Sequence, residues 1–590
     1  MTKSFSPRTR EGEYNVRNFR ATGNGSSNDT GPINAALQKC YDDGGGTVYI
    51  PAGNYRTEAP LIVRSNTTIV CDNNVRIFRT ASGALLMNGD YDEDQAVYTG
   101  HGNIHVRGGV WDMRGNVVTN KNLGFAFAHA ENVSFEGCTI KDVPGNHAIE
   151  VNSSKTVRIR NCRFLGYFDV DGGGTTNYNE AVQIDLALTG GGTFGAFGDY
   201  DDTPCTDVVV DSCYFGASGT ASTTAWYRGV GSHSGKINFP HTDIRVTNNH
   251  FDGLLNYAVG MYGWENAVVA GNVFDTCWSG VLVTGATNQH TKNLTITNNI
   301  FREFTSTSVA AVTVAPVSTG FAYDVIVTNN SFTEIDDAGV QISRGDGVVV
   351  SDNIFRMIGK NAIYCTNTND ISVSDNHIKA ASRSSSAGFH GIRMSTSVVG
   401  YRITGNRVRK HGSGNEVSKS IAIHSDCSGG YVRDNDTADI AIEDLGTSRA
   451  ATEAFSVTHS MDASQTRSGA SSATFDDLDA GGAGPTVTLQ TNTKVLVIIS
   501  GAISSGTAGV WGIMGVAVSG ATTTAATDTN ALAYRQSTLT NSINSTYQGS
   551  WVGELTVNPG SNTFTCKYRT ASNSQSATFL RRKITVIPIN

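Results

Sequence analysis

The sequence predicts an all-β chain: a single-stranded right-handed parallel β-helix, opened by one capping helix and followed by a C-terminal β-sandwich. Two observations predict the β-helix and a third predicts the sandwich. A nine-residue strand-and-turn pattern recurs through the middle of the chain at intervals as short as 23 residues. Its strands alternate with period 2 and are filled by strong β-formers, which excludes a helical solenoid. Beyond Asp444 the pattern stops, and longer alternating strands separated by Gly, Asn and Ser turns replace it.

At 590 residues the chain exceeds what one hydrophobic core can organise, so it must divide into domains or repeat a unit. Glycines number 65 against 11 prolines, and 16% of residues are charged with a net charge of -8, as expected of an ordered, turn-rich β protein. No Lys/Arg stripe is available to displace counterions, which excludes nucleic acid as a partner. No apolar run approaches the ~20 residues of a membrane span, and Met1 to Ser6 opens no signal-peptide core. The expectation is a chain made in a cytosol, without membrane insertion. Ten cysteines lacking paired spacing point to neither a disulfide scaffold nor a zinc ribbon.

Taken in order, residues 16–62 form a lead-in and capping-helix region. Its helix is expected over Asp29 to Asp42, capped by Asp29 or Thr30, with Pro32 in the first turn and Ile33, Ala36, Leu37 and Cys40 as an apolar stripe. Residues 63–445 carry the coils, read as TVRIRNCRF from Thr156, DVVVDSCYF from Asp207, DIRVTNNHF from Asp243, NLTITNNIF from Asn293 and DVIVTNNSF from Asp324. Stacked coils turn each repeat position into a column of like residues. Asn249, Asn272, Asn299, Asn330, Asn353, Asn376 and Asn406 should form one, bonding amide to amide at a turn that tolerates left-handed backbone. Cys138, Cys162 and Cys213 hold that position in earlier coils as buried, reduced fillers. Residues 446–472 read as a linker and 473–590 as the sandwich, suited to trimerisation or glycan contact.

A second strand family runs HAIEVN from His147, EAVQID from Glu180, RGVGSH from Arg228, YAVGMY from Tyr257 and SGVLVT from Ser279. Alternation sends the third and fifth residues inward and the second, fourth and sixth outward. The outward sixth column is then Asn152, Asp185, His233, Tyr262 and Thr284. Glycine-rich insertions flank the Glu180 strand, DGGGTTNYN before it and TGGGTFGAFGDYDDTP after Leu188, and such excursions from a rigid scaffold build binding grooves. Acids and a His gather there: Asp185, Glu150, Glu180, Asp202 and His233 are the candidates for acid and base chemistry. Glu150 and Asp185, two residues out of step on neighbouring strands, have backbones roughly 8 Å apart at ~3.3 Å per residue and ~4.8 Å per strand. Carboxyl separations of ~6.5 to 9.5 Å suit an inverting glycosidase. His233 is expected directly beside Asp185, where it could orient that carboxylate. Arg228, Trp226, Tyr257, Tyr262, Asp201, His147 and Asn152 are the candidates for substrate binding, the aromatic rings as platforms for sugars. Each acid also has a plain structural use: Glu180 has core-facing parity and can pair with Arg228, and Asp201 and Asp202 can form turns. No spaced ligand motif demands a metal, so no cofactor is expected, although Ca²⁺ is conceivable among so many carboxylates.

Three segments, Thr22 to Gly25, Asp29 to Leu37 and Gly45 to Tyr55, resemble the lead-in shared by the pectate-lyase-like superfamily, which includes phage tailspikes and polygalacturonase relatives. Asn24 stands where an Asp is usual. The EAVQID and VGSH strands also look like the catalytic region of glycan-cleaving members. With the coils, the resemblance covers roughly residues 16–440. It implies a pectin-lyase-like fold and a phage tailspike or tail-fibre depolymerase that binds and hydrolyses a bacterial surface polysaccharide. It further implies a homotrimer whose residues 1–15 attach to a virion tail or baseplate protein and which acts at the bacterial cell surface. The polygalacturonase set of Asn-Thr-Asp, Asp-Asp and Arg-x-Lys is missing, because Asp201 and Asp202 fall in a loop and no Arg-x-Lys strand follows VGSH. Pectin is therefore not the expected substrate. The rivals are a lyase acting on a uronate-containing glycan and a non-catalytic receptor-binding adhesin.

Overall fold

The computed structural model describes residues 12–172, 179–190, 198–385, 388–410, 412, 416–438, 440–447, 457–468, 472–479, 482–491, 493–536 and 546–589. The chain forms two compact units, Met1–Ser428 with Asn435–Thr447, and Gly429–Asp434 with Ser448–Asn590. Among the described residues, no helix is long and apolar enough to cross a membrane.

In the first unit each turn of chain lays down one strand in each of three sheets, of 15, 14 and 14 strands. Every neighbour pairs in parallel, as Lys155–Arg160 does with Thr206–Asp211 and Ile149–Asn152 with Glu180–Asp185. The nine-residue pattern is a first-sheet strand, a turn and the start of a second-sheet strand; the second strand family is the third sheet. The Asn column forms as expected. Asn272 Oδ1 accepts the Asn249 backbone N–H (2.9 Å) and its Nδ2 (3.1 Å), and the same pair of bonds repeats through Asn299, Asn330, Asn353, Asn376 and Asn406. The left-handed backbone lies one residue earlier than expected, at Asn248, Asn298, Asn329, Asp352 and Asp375, where a short polar side chain tolerates positive φ. Cys162 N–H donates to Cys213 Sγ (3.4 Å) and Cys213 N–H to Asn249 Oδ1 (2.8 Å), so the thiols do continue the same ladder. All ten cysteines are free.

Inside the coils, Phe164, Phe215, Phe251, Phe274, Phe301, Phe332 and Phe355 stack with centroids 4.6 to 5.0 Å apart. That spacing is the coil pitch itself, so a ring at this position always meets another ring. The helix runs Thr30–Asp42 and buries Ile33, Ala36, Leu37 and Cys40. Asp29 makes no side-chain cap. Its carboxylate instead accepts from the Thr22 (2.6 Å) and Gly23 (3.0 Å) backbone N–H groups, tying down the preceding turn, while Asn28 Oδ1 accepts from Thr30 N–H.

Three boundaries differ from expectation. Glu13–Asn15 pairs with Gly46–Ile50, so the last residues of the expected attachment segment are already a coil strand; residues 1–11 lie outside the described residues. The lead-in contributes Asn24–Asn28 and Gly53–Thr57 to the second sheet, so coiling starts well before residue 63. In the second unit, Val457–Met461 and Gln465–Arg467 pair with Ala577–Ile589. The sheet therefore begins inside the expected 446–472 linker. The two antiparallel sheets of this unit, one built on Lys494–Ser504 and Ala577–Ile589, the other on Trp511–Gly520 and Gly560–Thr570, share a core that includes Val497, Met514, Phe564, Phe579 and Ile584.

Candidate functional site

The third sheet positions the site. Register pairs Glu150 with Gln183 and Asn152 with Asp185, then Gln183 with Gly231 and Gly231 with Gly260. Glu150 and Asp185 are thus two residues out of step on adjacent strands, as the alternation predicts. The second position breaks that alternation. Ala148, Ala181 and Ala258 are fully buried, and a Cβ built on Gly229 or Gly280 would lie 2.4 or 2.6 Å from the ring of Phe251 or Phe301. Only small residues fit where the chain turns into the strand against the Phe stack. The first position consequently swings onto the outer side, contrary to the core-facing parity read for Glu180.

Glu180 becomes the electrostatic centre of the site. It is fully buried, and its Oε1 accepts from Arg228 Nη1 (2.9 Å) while its Oε2 lies 3.0 Å from His233 Nδ1 and 3.8 Å from His147 Nδ1. Burial pushes this carboxyl up, but the charge and hydrogen bond of His233, then Arg228 and His147, overcome it and hold it at about 2. Burial in turn pulls His233 down, but the charge and hydrogen bond of Glu180, then Asp185 and Glu150, raise it to about 9. His233 therefore pairs with Glu180 more closely than with Asp185, whose Oδ2 is 3.9 Å from its Nε2. His147, expected to touch substrate, is buried; it donates through Nδ1 to the Glu180 carbonyl (2.8 Å), and burial holds it at about 3.

Asp185 and Glu150 stand beside this ion pair and behave differently. Asp185 Oδ1 accepts the backbone N–H groups of Leu186 (3.0 Å) and Ser234 (3.2 Å), and its Oδ2 accepts Gln183 Nε2 (2.6 Å). Burial raises it to about 6 against the opposing pull of His233 and those bonds. Glu150 keeps one side-chain bond, from Asn152 Nδ2 (2.7 Å), and burial followed by the charge of Asp185 raises it to about 8. Neighbouring carboxyls whose environments push them apart are the arrangement that gives one base and one acid at neutral pH.

The remaining expected residues divide. Tyr257 and Tyr262 are half-buried on the outer side; Tyr257 sits edge-on to Trp278 at 5.7 Å, and Asp185 adds to the burial that raises Tyr262. Arg228 is spent on Glu180, and Asn152 is buried on Glu150. Trp226 is fully buried and packs on Tyr167 at 5.3 Å, so it is a core residue and not a sugar platform. Asp202 braces a loop by accepting from Thr189 N–H and Oγ1 (both 2.8 Å) and pairing with Lys236. Asp201 likewise accepts from Val97 (2.7 Å) and Thr203 (3.0 Å) N–H groups. Neither is free for acid or base work. Most of the two glycine-rich insertions, residues 173–178 and 191–197, lies outside the described residues.

Three neighbours escaped the sequence reading. Gln183 Nε2 donates to the Asp185 carboxylate (2.6 Å) and lies 3.1 Å from His233 Nε2, and its fourth-position parity could have flagged it. His241 accepts the Cys205 N–H at Nδ1 (3.1 Å), which leaves the proton on Nε2, 4.0 Å from Asp185 Oδ1. It comes from a first-sheet strand, which no third-sheet pattern reveals. Tyr200 lies near enough for Glu150 to add to the burial that raises it. His147, Glu180 and His233 form the one group of candidate metal ligands among the described residues, with ligand atoms within 4.8 Å of one another. Two imidazoles and one carboxylate do not suit Ca²⁺, which prefers oxygen, and Arg228 already occupies that carboxylate.

Comparison with known proteins agrees with the fold. Residues 14–282 match the family model described as rhamnogalacturonase A/epimerase, pectate lyase-like, and residues 237–408 match the right-handed β-helix region. Among curated proteins, plasmin and fibronectin-binding protein A of Streptococcus pneumoniae is 27% identical over 375 residues, 56% of this chain and 52% of that protein. The chain therefore spans about half the length of that relative. Mannuronan C5-epimerase AlgE5 of Azotobacter vinelandii is 49% identical over only 65 residues, 10% of this chain and 6% of that protein. Among solved structures, the S. pneumoniae surface adhesin PfbA matches with a TM-score of 0.55 and 24% identity over 63% of this chain and 92% of that one. A double mutant of the E. coli bacteriophage HK620 tailspike, in complex with pentasaccharide, matches with a TM-score of 0.55 and 16% identity over 94% and 93%. The chain is thus a right-handed parallel β-helix, similar over residues 14–282 to the pectate lyase-like family model and in fold to a tailspike and an adhesin.

Proposed function

We propose that this protein is a tailspike-like depolymerase that binds a bacterial surface polysaccharide and hydrolyses it by acid and base catalysis. The observation that carries this reading is the pair Glu150 and Asp185. Both are outward-facing and buried on adjacent strands, one held neutral and one ionised at pH 7 by their surroundings. Asp185 takes the proton of an attacking water, its carboxylate oriented by the Leu186 and Ser234 N–H groups and by Gln183. Glu150 gives its proton to the leaving glycosidic oxygen. Their two-residue offset sets the backbones roughly 8 Å apart, and attack by a water held at Asp185 inverts the anomeric centre. His233, with 30% of its side chain exposed, is the member open to solvent; its charge, balanced by Glu180, keeps Asp185 ionised. The reading extends to three chains per spike, borne on a virion tail and acting at the host surface.

The test is to incubate the purified chain with envelope polysaccharides of candidate hosts and analyse products by mass spectrometry. Shortened chains with one added water, lost in both Asp185→Asn and Glu150→Gln, support hydrolysis at this site. Unsaturated ends absorbing in the ultraviolet would replace it with a lyase. Tight binding that leaves the polymer intact would replace it with an adhesin, the reading favoured by the 375-residue similarity to the pneumococcal binding protein. Light scattering reads the number of chains.

A further inference from the structure

The outer fourth column of the third sheet does not end at the acid pair. It continues from Glu150 and Gln183 through Gly231, Gly260, Leu282 and Thr313 to Gln341, Tyr364 and Arg393, each residue in register with the next. At its far end lies a cavity of about 320 Å³ whose lining includes Gln341, Lys360, Asn361, Tyr364, Phe389 and Arg393. Five strand steps separate Gln341 from Gln183, which is ~24 Å at ~4.8 Å per step. The stretch between begins with two glycines, so no long side chain rises beside Gln183 to separate the ends.

We propose that this cavity is a distal subsite for an anionic sugar unit of the same polysaccharide chain that is cut at Glu150 and Asp185. The substrate class follows from the walls. Tyr364 and Phe389 supply aromatic surface for a sugar ring, and Gln341 and Asn361 supply hydrogen-bonding groups for hydroxyls. The charge comes from Arg393. Lys360 is already neutralised by Asp337 (2.6 Å) and also donates to the Thr307 carbonyl (2.7 Å). Arg393 forms no ion pair among the described residues; its Nη1 donates to His390 Nε2 (3.1 Å). Burial, then the guanidinium itself, lowers His390, so the imidazole stays a neutral acceptor that aims Arg393 without cancelling its charge. A planar guanidinium held this way matches a carboxylate or a phosphate, both of which it can bind with two parallel bonds. The inference rests on the depolymerase reading for its polymer, but the cavity and its charge are read without reference to cleavage.

The test reads binding alone, so that failure of the subsite and failure of the hydrolase are separable. Saturation-transfer NMR on the full chain would compare glucuronate, glucose 1-phosphate and glucose as probes, at low and high salt, with Asp185→Asn in parallel. The expected result is binding of at least one acidic probe that weakens with salt, is unchanged in Asp185→Asn, and is about tenfold or more weaker in Arg393→Gln. The glucuronate and phosphate arms say which anion the site takes. Partial recovery in Arg393→Lys, and weakening in Tyr364→Leu, would separate a lost contact from a lost fold. Glucose binding as well as the acids, no binding of either acid, or unaltered binding in Arg393→Gln overturns the proposal, whether or not the protein cleaves polymer.

Discussion

Replacing Glu150 with Gln should stabilise the protein in alkali and leave it unchanged in acid. In the folded chain this carboxyl is raised from its ordinary value of 4.5 to about 8, first by burial and then by Asp185. A raised carboxyl favours folding while it is protonated. That contribution is complete below about 4.5 and is lost progressively as pH climbs through about 8. At ~1.36 kcal/mol per pH unit the whole loss is on the order of 5 kcal/mol. Gln has the shape of the protonated acid and its carbonyl can still accept the Asn152 amide bond seen at 2.7 Å. The variant should therefore match the wild type near pH 4 and be several kcal/mol more stable near pH 9, less whatever the site relaxes. Denaturant unfolding across that pH range, followed by a probe in the β-helix, measures it without any substrate. An equal change at both ends of the range, or a loss in alkali, would refute the claim that Glu150 is a buried neutral acid.

The same pair sets the pH dependence of cleavage. With Asp185 needed ionised at about 6 and Glu150 needed protonated at about 8, the rate should plateau near pH 7 and fall about tenfold by about pH 5 and again by about pH 9; a profile flat across both limbs would contradict the assignment. Asp185→Asn should cost on the order of 10² to 10⁴ in kcat with little change in binding of intact polymer. Glu180→Gln should lower the His233 titration from about 9, read by NMR, and destabilise the fold by ~3 to 5 kcal/mol, because Arg228 and His233 lose their counter-charge. Asn299→Ala should be destabilising by ~3 kcal/mol or more, since it removes the acceptor of the Asn272 backbone and side-chain N–H groups and the donor to the Val269 carbonyl at once. Asn299→Cys should cost less, because Cys162 and Cys213 already hold the equivalent place in the ladder.

The coils were legible in the sequence because stacking forces like onto like. An amide that meets an amide at every pitch, or a phenyl that meets a phenyl, leaves a spaced signature that no single coil would carry. Glu150, Asp185 and His233 were legible for the same reason, since outward columns follow from inward ones. Trp226 was misread because flat aromatic side chains serve cores as readily as sugars, and only packing on Tyr167 separates the uses. Asp201 and Asp202 were misread because loop-bracing carboxylates share the composition of acid clusters. His241 was invisible because its strand belongs to another sheet, and the sequence distance of 36 residues to Cys205 conceals a 3.1 Å contact.

The break in alternation at the second position connects the packing to the chemistry. Strict period 2 would have buried Glu180 beneath the sheet, where an ionised carboxyl has no partner and must take up a proton. The coil instead turns into its third-sheet strand around a buried small residue, Ala148, Ala181 or Gly229, and at Gly229 the ring of Phe251 leaves no room for a larger one. That turn rotates His147, Glu180 and Arg228 onto the side that carries Asp185 and His233. A charged cluster thereby assembles from three consecutive coils, and its net effect is to ionise Asp185 while leaving Glu150, one strand away, protonated. Enlarging the turn residue, as in Ala181→Val, should therefore do more than strain the core. It should shift the acid limb of the pH profile by moving Glu180 relative to His233, whereas the same enlargement at Ala311, three strands beyond Arg228, should affect stability alone.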